Sequence, residues 1–168
     1  MSADPQAKRP AESATEMVQV VLPNDANPLG FILGGTVMHL IDIAGAIASH
    51  RHTRSLVVTA AVDDLQFLHP IKVGDLIILK SRVTCTFTTS LEVQVDVYSE
   101  ETLTGKRRLT SRAFLTFVAI SQDGGRVPVP PLLIETDEER RVHENAHARR
   151  AERLRKKARA ESGAAPPR

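Results

Sequence analysis

NPLGFILGGTVMHLIDIAGAIASHRHT, residues 27–53, is the stretch around which the rest of the chain must arrange itself. After Gly34-Gly35, the residues Val37, Met38, Leu40, Ile41, Ile43, Ala44, Ala46, Ile47 and Ala48 put apolar side chains on nearly every side of a helix. A helix that is apolar all round belongs inside a core or a membrane. The apolar run falls well short of the roughly 20 residues that cross a bilayer, and His39 and Asp42 interrupt it. A buried central helix is expected. One stripe differs. Gly35, His39, Asp42, Ala46 and Ser49 recur at helical spacing and share one line along the surface. A carboxylate there is costly unless it is paired or working.

Outward from the helix, Met17 to Leu22 reads as a short strand ended by Pro23 and the turn residues Asn24 to Pro28. Arg51-His52-Thr53-Arg54 places positive charge at the helix C-terminus, where the dipole favours it. Four strand-like runs follow, at 56–67, 76–87, 91–99 and 107–121. The third alternates, with Leu91, Val93, Val95 and Val97 on one face and Glu92, Gln94 and Asp96 on the other. Gly124-Gly125 and the prolines Pro128, Pro130 and Pro131 mark the end of the compact part. Thr136 with Glu139 three residues on has the form of a capping box. The order is strand, long helix, four strands, hence an α+β layer in which an antiparallel sheet wraps one central helix. One sheet leaves the far side of that helix uncovered, so a homodimer is expected to cover it. The expected divisions are a disordered arm at 1–15, a domain at 16–134, a charged C-terminal helix at 135–160 and a disordered tail at 161–168.

The 168 residues suffice for one domain with a real core. The single cysteine, Cys85, excludes an internal disulfide. The polar N-terminus carries no apolar signal-peptide core, so a cytoplasmic protein without membrane insertion is expected. The net charge of +2 hides an asymmetry. Residues 140–168 hold ten Lys/Arg and three Asp/Glu, leaving twelve and seventeen for the rest of the chain.

Several ordered groups of residues carry a resemblance: Asp25-Ala26-Asn27, Gly30, Gly34-Gly35-Thr36, Asp42, Ala44-Gly45-Ala46-Ile47, Val62-Asp63, Phe67, Pro70, Val73-Gly74-Asp75 and Thr89-Ser90-Leu91-Glu92-Val93. Over roughly residues 17–155 the chain resembles the hotdog-fold acyl-CoA thioesterases, in the group of the bacterial short-chain and cytosolic long-chain (brain-type) hydrolases. The resemblance implies a catalytic pair of Asn27 and Asp42. Asp42 acts as general base or nucleophile, Asn27 orients water or the substrate carbonyl, and the Gly34 amide stabilises the oxyanion. It also implies a trimer of dimers, coenzyme A contacts near Gly35, Thr88, Thr89 and Ser90, and no cofactor beyond the coenzyme A of the substrate. The chemistry is consistent, because a helix N-terminus offers free N–H groups to an oxygen that gains negative charge. Gly34 and Asp42 are eight residues apart on one helix, roughly 12 Å at the helical rise. They cannot both reach one carbonyl, so a shared site would draw Asp42 from the neighbouring chain.

The phosphates of coenzyme A call for basic residues, with Arg51, Arg54, Lys72, Arg107, Arg108 and Arg112 as candidates. Read without the resemblance, Asp42 is equally a structural acid paired with His39 or Arg51, Asn27 a turn residue, and Cys85 core packing. His39, His50 and His52 do not share a face, so no metal site is expected. Three rivals to hydrolysis are a non-hydrolytic acyl-CoA-binding protein of the same fold, a hydratase or dehydratase of that fold, which would want a different catalytic pair, and a nucleic-acid or acidic-partner binder acting through Arg149 to Arg159. The missing aromatic platforms weaken the case for nucleic acid.

Overall fold

The computed structural model describes residues 6–163. Strand β1 (Thr15–Val20) leads through a 3₁₀ turn at Pro23–Asp25 to helix α1 (Gly34–Thr53). Strands β2 (Leu56–Phe67), β3 (Leu76–Thr86), β4 (Ser90–Glu100) and β5 (Arg107–Ile120) follow, then helix α2 (Asp137–Gly163). All pairings are antiparallel, in the order β1-β3-β4-β5-β2. This is the hotdog architecture, with the sheet curled around α1.

The alternation read in β4 explains the inner face. Leu91, Val93, Val95 and Val97 are fully buried against α1, with Val83, Leu115 and Phe117 from the flanking strands. Val37, Leu40, Ile41, Ala44 and Ala48 are the helix's contribution to that core. Gly45 sits where the helix comes closest to the sheet; a Cβ there would lie 2.9 Å from the Phe117 ring. Ser81 Oγ donates to the Ala44 carbonyl at 2.8 Å, so even the polar atom on this face is bonded.

The outer face, where alternation puts Glu92, Gln94 and Asp96, is not a solvated polar surface. Glu92 and Gln94 are buried because α2 lies across them. Arg149 forms two hydrogen bonds to Glu92, at 2.7 and 3.0 Å, while its guanidinium stacks 3.6 Å from the Phe114 ring centroid. Arg153 pairs with Asp63 at 2.8 Å and Arg150 stacks on Phe87. The basic residues that suggested an acidic partner therefore serve in part to dock the helix on its own sheet. The capping box forms as expected: the Glu139 amide donates to Thr136 Oγ1 and the Thr136 amide to Glu139 Oε2, both at 3.1 Å.

The segment expected as a disordered arm is ordered from residue 8 on. Its backbone pairs with the proline stretch, through Lys8 N to Pro131 O and Leu133 N to Lys8 O, and Lys8 Nζ donates to the His52 carbonyl at 2.8 Å. Residues 1–5 of that arm lie outside the described residues. The proline stretch itself continues along the sheet, with Val129 and Pro130 buried. Helix α2 runs three residues past the expected end of 160, and 164–168 of the expected tail lie outside the described residues.

Strand β2 is an edge. Its register against β5 breaks twice, between Thr59 and Ala61 and between Asp63 and Gln66, where Asp64 takes φ 53°. Leu56, Val58, Val62 and Phe67 stay about half exposed along it. On the uncovered side of α1, Leu33, Met38 and His39 are exposed and Ile43, Ala46 and Ile47 half-buried. No helix among the described residues is long and apolar enough to cross a membrane.

Candidate active site

At the N-terminal end of α1, a groove of about 280 Å³ is lined by Asn27, Gly34, Val37, Phe67, Leu68 and Ser111 among others. The turn before the helix holds Asn27 in one orientation. Its Oδ1 accepts from the amides of Leu29 and Phe31, at 3.0 and 3.2 Å. Backbone N–H groups bond only to an acceptor, so the oxygen of the side-chain amide is identified by its partners. The Nδ2 donors have no bond within the described residues and are free for an oxygen in the groove. Leu33 stands at the N-cap without a side-chain bond, which leaves the first helical amides, Gly34's included, without an intrahelical acceptor. A Cβ at Gly34 would rest in ordinary contact with Phe67, 3.5 Å away, and one at Gly35 would meet nothing within 4 Å. The chain's own packing does not require either glycine; their smallness leaves space over the helix end.

Asp42 is elsewhere. It lines none of this groove. Its Oδ1 accepts a 2.6 Å bond from Thr59 Oγ1 on β2. Neither His39 nor Arg51 is its partner: Arg51 binds Ala14 O and Thr15 Oγ1, each at 3.1 Å. Thr59 was not singled out in the sequence, where a threonine inside a strand-forming run carries no signal of its own.

The sheet register places these groups at two ends. Phe67 faces Ser111, which faces Val97 on β4. Thr59 faces Phe117, which faces Leu91, one residue from Ser90. Seven residues separate Ser90 from Val97 along β4, about 24 Å at the strand rise. Thr88, Thr89 and Ser90 turn between β3 and β4 and hold the proline stretch and β5, through Thr88 O to Val129 N and Thr89 O to Ala119 N. Arg54, at the C-cap of α1, lines a cleft at that same end with His50, Ser55, Leu56 and Ile120. One chain thus carries Asn27, Gly34 and Gly35 at one end and Asp42, Thr59, Arg54 and the Thr88–Ser90 turn toward the other.

Arg112 belongs to neither. It sits on the outer face beside Lys80 and Glu138 and forms a two-point pair with Asp96, at 2.6 and 3.0 Å. That pairing raises its already high pKa and commits its charge. Arg51 donates from Nη1 to Ala14 O, just ahead of β1, and to Thr15 Oγ1, both neutral acceptors.

The model of the thioesterase superfamily matches residues 29–106. An uncharacterized acyl-CoA thioester hydrolase of Bacillus subtilis is 40% identical over 91% of this chain and 89% of its own. The human cytosolic acyl coenzyme A thioester hydrolase is 33% identical over 87% of this chain, which spans only 39% of that longer protein. Among solved structures, a hexameric acyl-CoA thioesterase superposes with TM-score 0.87 at 42% identity, covering 91% of this chain and 98% of the other. The acyl-CoA hydrolase of Staphylococcus aureus, in complex with butyryl coenzyme A and coenzyme A, gives 0.83 at 33% identity over 95% and 99%. Three further structures of that enzyme carry alanine in place of an aspartate, an asparagine and a threonine.

Proposed function

From the premise that this chain belongs to the thioesterase superfamily, among its acyl-CoA thioester hydrolases, we propose that it hydrolyses acyl-CoA in a site assembled from two copies of itself. One copy supplies the groove with Asn27, Gly34 and Gly35; the other supplies Asp42, Thr59, Arg54 and the Thr88–Ser90 turn. The observation that carries this reading is the separation of the two sets within one chain, together with an edge strand and a helix side left apolar and uncovered. A two-fold axis running between two antiparallel β2 edges brings opposite ends together twice, giving two equivalent sites. The hexameric relative is consistent with three such pairs.

In the proposed reaction the thioester carbonyl enters the groove with its oxygen toward the Gly34 amide and Asn27 Nδ2. Both are donors, and both meet the charge that develops on that oxygen. The partner's Asp42, oriented by the Thr59 hydroxyl, takes a proton from water, and the hydroxide attacks the carbonyl carbon. The tetrahedral intermediate then expels the coenzyme A thiolate, which takes up the proton, leaving the free acid. Direct attack by the Asp42 carboxylate, through an anhydride, uses the same placement. A single turnover in ¹⁸O-water separates the two, since only the anhydride route puts the label into Asp42. Thr59 joins the catalytic pair as a positioning residue, and the S. aureus variants bear on the same three residue types. Arg54 is the candidate for the coenzyme A phosphates that lies at the end of the Thr88–Ser90 turn, whereas Arg112 is paired with Asp96 and Arg107 with Glu100.

Release of free thiol from acyl-CoA, measured across chain lengths, tests the activity. Mixing Asn27→Ala with Asp42→Ala chains tests the shared site: heterodimers regain one intact site in two. No recovery on mixing would overturn the sharing while leaving hydrolysis itself standing.

A further inference from the structure

We propose that Cys85 of β3 and His143 and His147 of α2 form a zinc site that clamps the C-terminal helix to the outer face of the sheet. The sheet creates it through an irregularity. Along β3, Ile77, Leu79, Ser81 and Val83 face α1. Strict alternation would aim Cys85 the same way. The register slips between Val83 and Cys85, and a bulge of this kind turns two successive side chains to one face. Thr84 and Cys85 both emerge beside Glu92 on the outer face, Thr84 Oγ1 bonding Glu92 Oε1 at 2.7 Å. Opposite them, His143 and His147 stand one helical turn apart, their ring centroids 4.6 Å from each other.

The distances suit a tetrahedral ion. Cys85 Sγ lies 3.6 Å from His147 Nε2. A zinc ion with ordinary Zn–S and Zn–N bonds at tetrahedral angles separates those atoms by about 3.6 Å. One ligand atom from each of the three residues lies within 4.8 Å of the others, so His143 needs only a small rotation to close the set. On binding, the Cys85 S–H bond breaks, the proton leaves to solvent and the sulfur bonds the metal. Both Glu92 oxygens are held by Arg149, which also offsets that cation. The fourth position therefore falls to water on the exposed side of His147. A thiolate with two imidazoles selects Zn²⁺ over Mg²⁺ or Ca²⁺.

Full-length protein stripped with chelator and titrated with Co²⁺, a spectroscopic stand-in for zinc, tests this. The expected result is one ion per chain, tetrahedral visible bands and a sulfur-to-cobalt charge-transfer band, all displaced by Zn²⁺. Cys85→Ser removes the charge-transfer band. His147→Gln, at an exposed position that leaves folding intact, weakens binding by at least about 100-fold, beyond what loss of an outer-shell partner costs. Zinc raises the melting temperature of the parent protein and not of His147→Gln, and chelation leaves hydrolysis unchanged. Absence of stoichiometric binding, a charge-transfer band that survives in Cys85→Ser, or loss of hydrolysis on chelation would each overturn the assignment.

Discussion

Helix α1 buries nine of its twenty residues and α2 one of twenty-seven, Ala146, yet both lie against the same sheet. The first is held by apolar area, which is non-directional and tolerant of where each methyl group lands. The second is held at points, by Arg149 on Glu92, Arg153 on Asp63 and two stacked guanidiniums. An area-held helix can spare one position for chemistry, and in the proposed reaction α1 does so at Asp42. A point-held helix spares few, since each pairing leaves a buried charge behind when its partner goes.

The largest effect separates these two roles. Asp42→Ala is expected to lower kcat about 10³-fold in a thiol-release assay, with thermal stability unchanged, because Thr59 is its sole hydrogen-bond partner among the described residues. A matching loss of stability would mean that α1 too depends on polar points. Next comes Glu92→Ala, which strands Arg149 against Phe114 and should cost about 3 kcal/mol in urea denaturation with kcat preserved. Adding Arg149→Met should return most of it; failure to do so would show that area, not charge, docks α2 as well. Gly45→Ala drives a methyl group into Phe117 and is expected to cost about 1–3 kcal/mol, the mark of close packing on the α1 side. Thr136→Ala removes the α2 cap for about 1 kcal/mol, seen as faster amide exchange in the first turn. The smallest effect is a slope. His52 is buried with Nε2 on the Pro130 carbonyl, and burial, ahead of the Lys8 charge, lowers its pKa. The unfolded chain thus takes up a proton at higher pH than the folded one. Stability is full above about 6.5 and falls as pH drops from there toward the depressed value. His52→Gln should flatten melts recorded between these limits.

The same contrast explains what could be read in advance. Period-two alternation in β4 and the nearly continuous apolar surface of α1 are area signals, and they place the core; the order of the sheet, in which β2 pairs with β5 instead of β3, is not among them. Asn27 and Gly34 sit in local turn and helix-start chemistry, which the sequence shows, whereas the roles expected of them come from the family resemblance alone. Point contacts are not. Nothing local to Glu92 announces an arginine fifty-seven residues on, so a buried face reads as a wet one. Cys85 shares a cluster with His147 because one extra residue reverses its facing, and alternation points to the opposite side. Arg112 looks available as sequence because its counter-charge, Asp96, is distant in the chain. The arm before Thr15 is polar enough to read as disordered, yet its order comes from backbone bonds that composition does not encode.

The two breaks in the β2 register have a consequence for the cell. A straight, bare margin of backbone donors and acceptors recruits any extended segment that drifts past, which is how aggregation begins. This margin is keyed. The departures at Ala60 and at Asp64-Leu65 lie in the pairing with β5, and bulges of this kind bend and twist the strand, so a visiting segment that runs straight does not follow its bare edge from end to end. In the proposed pairing of β2 edges a second copy of the chain carries the same two bends, and stray polypeptide does not.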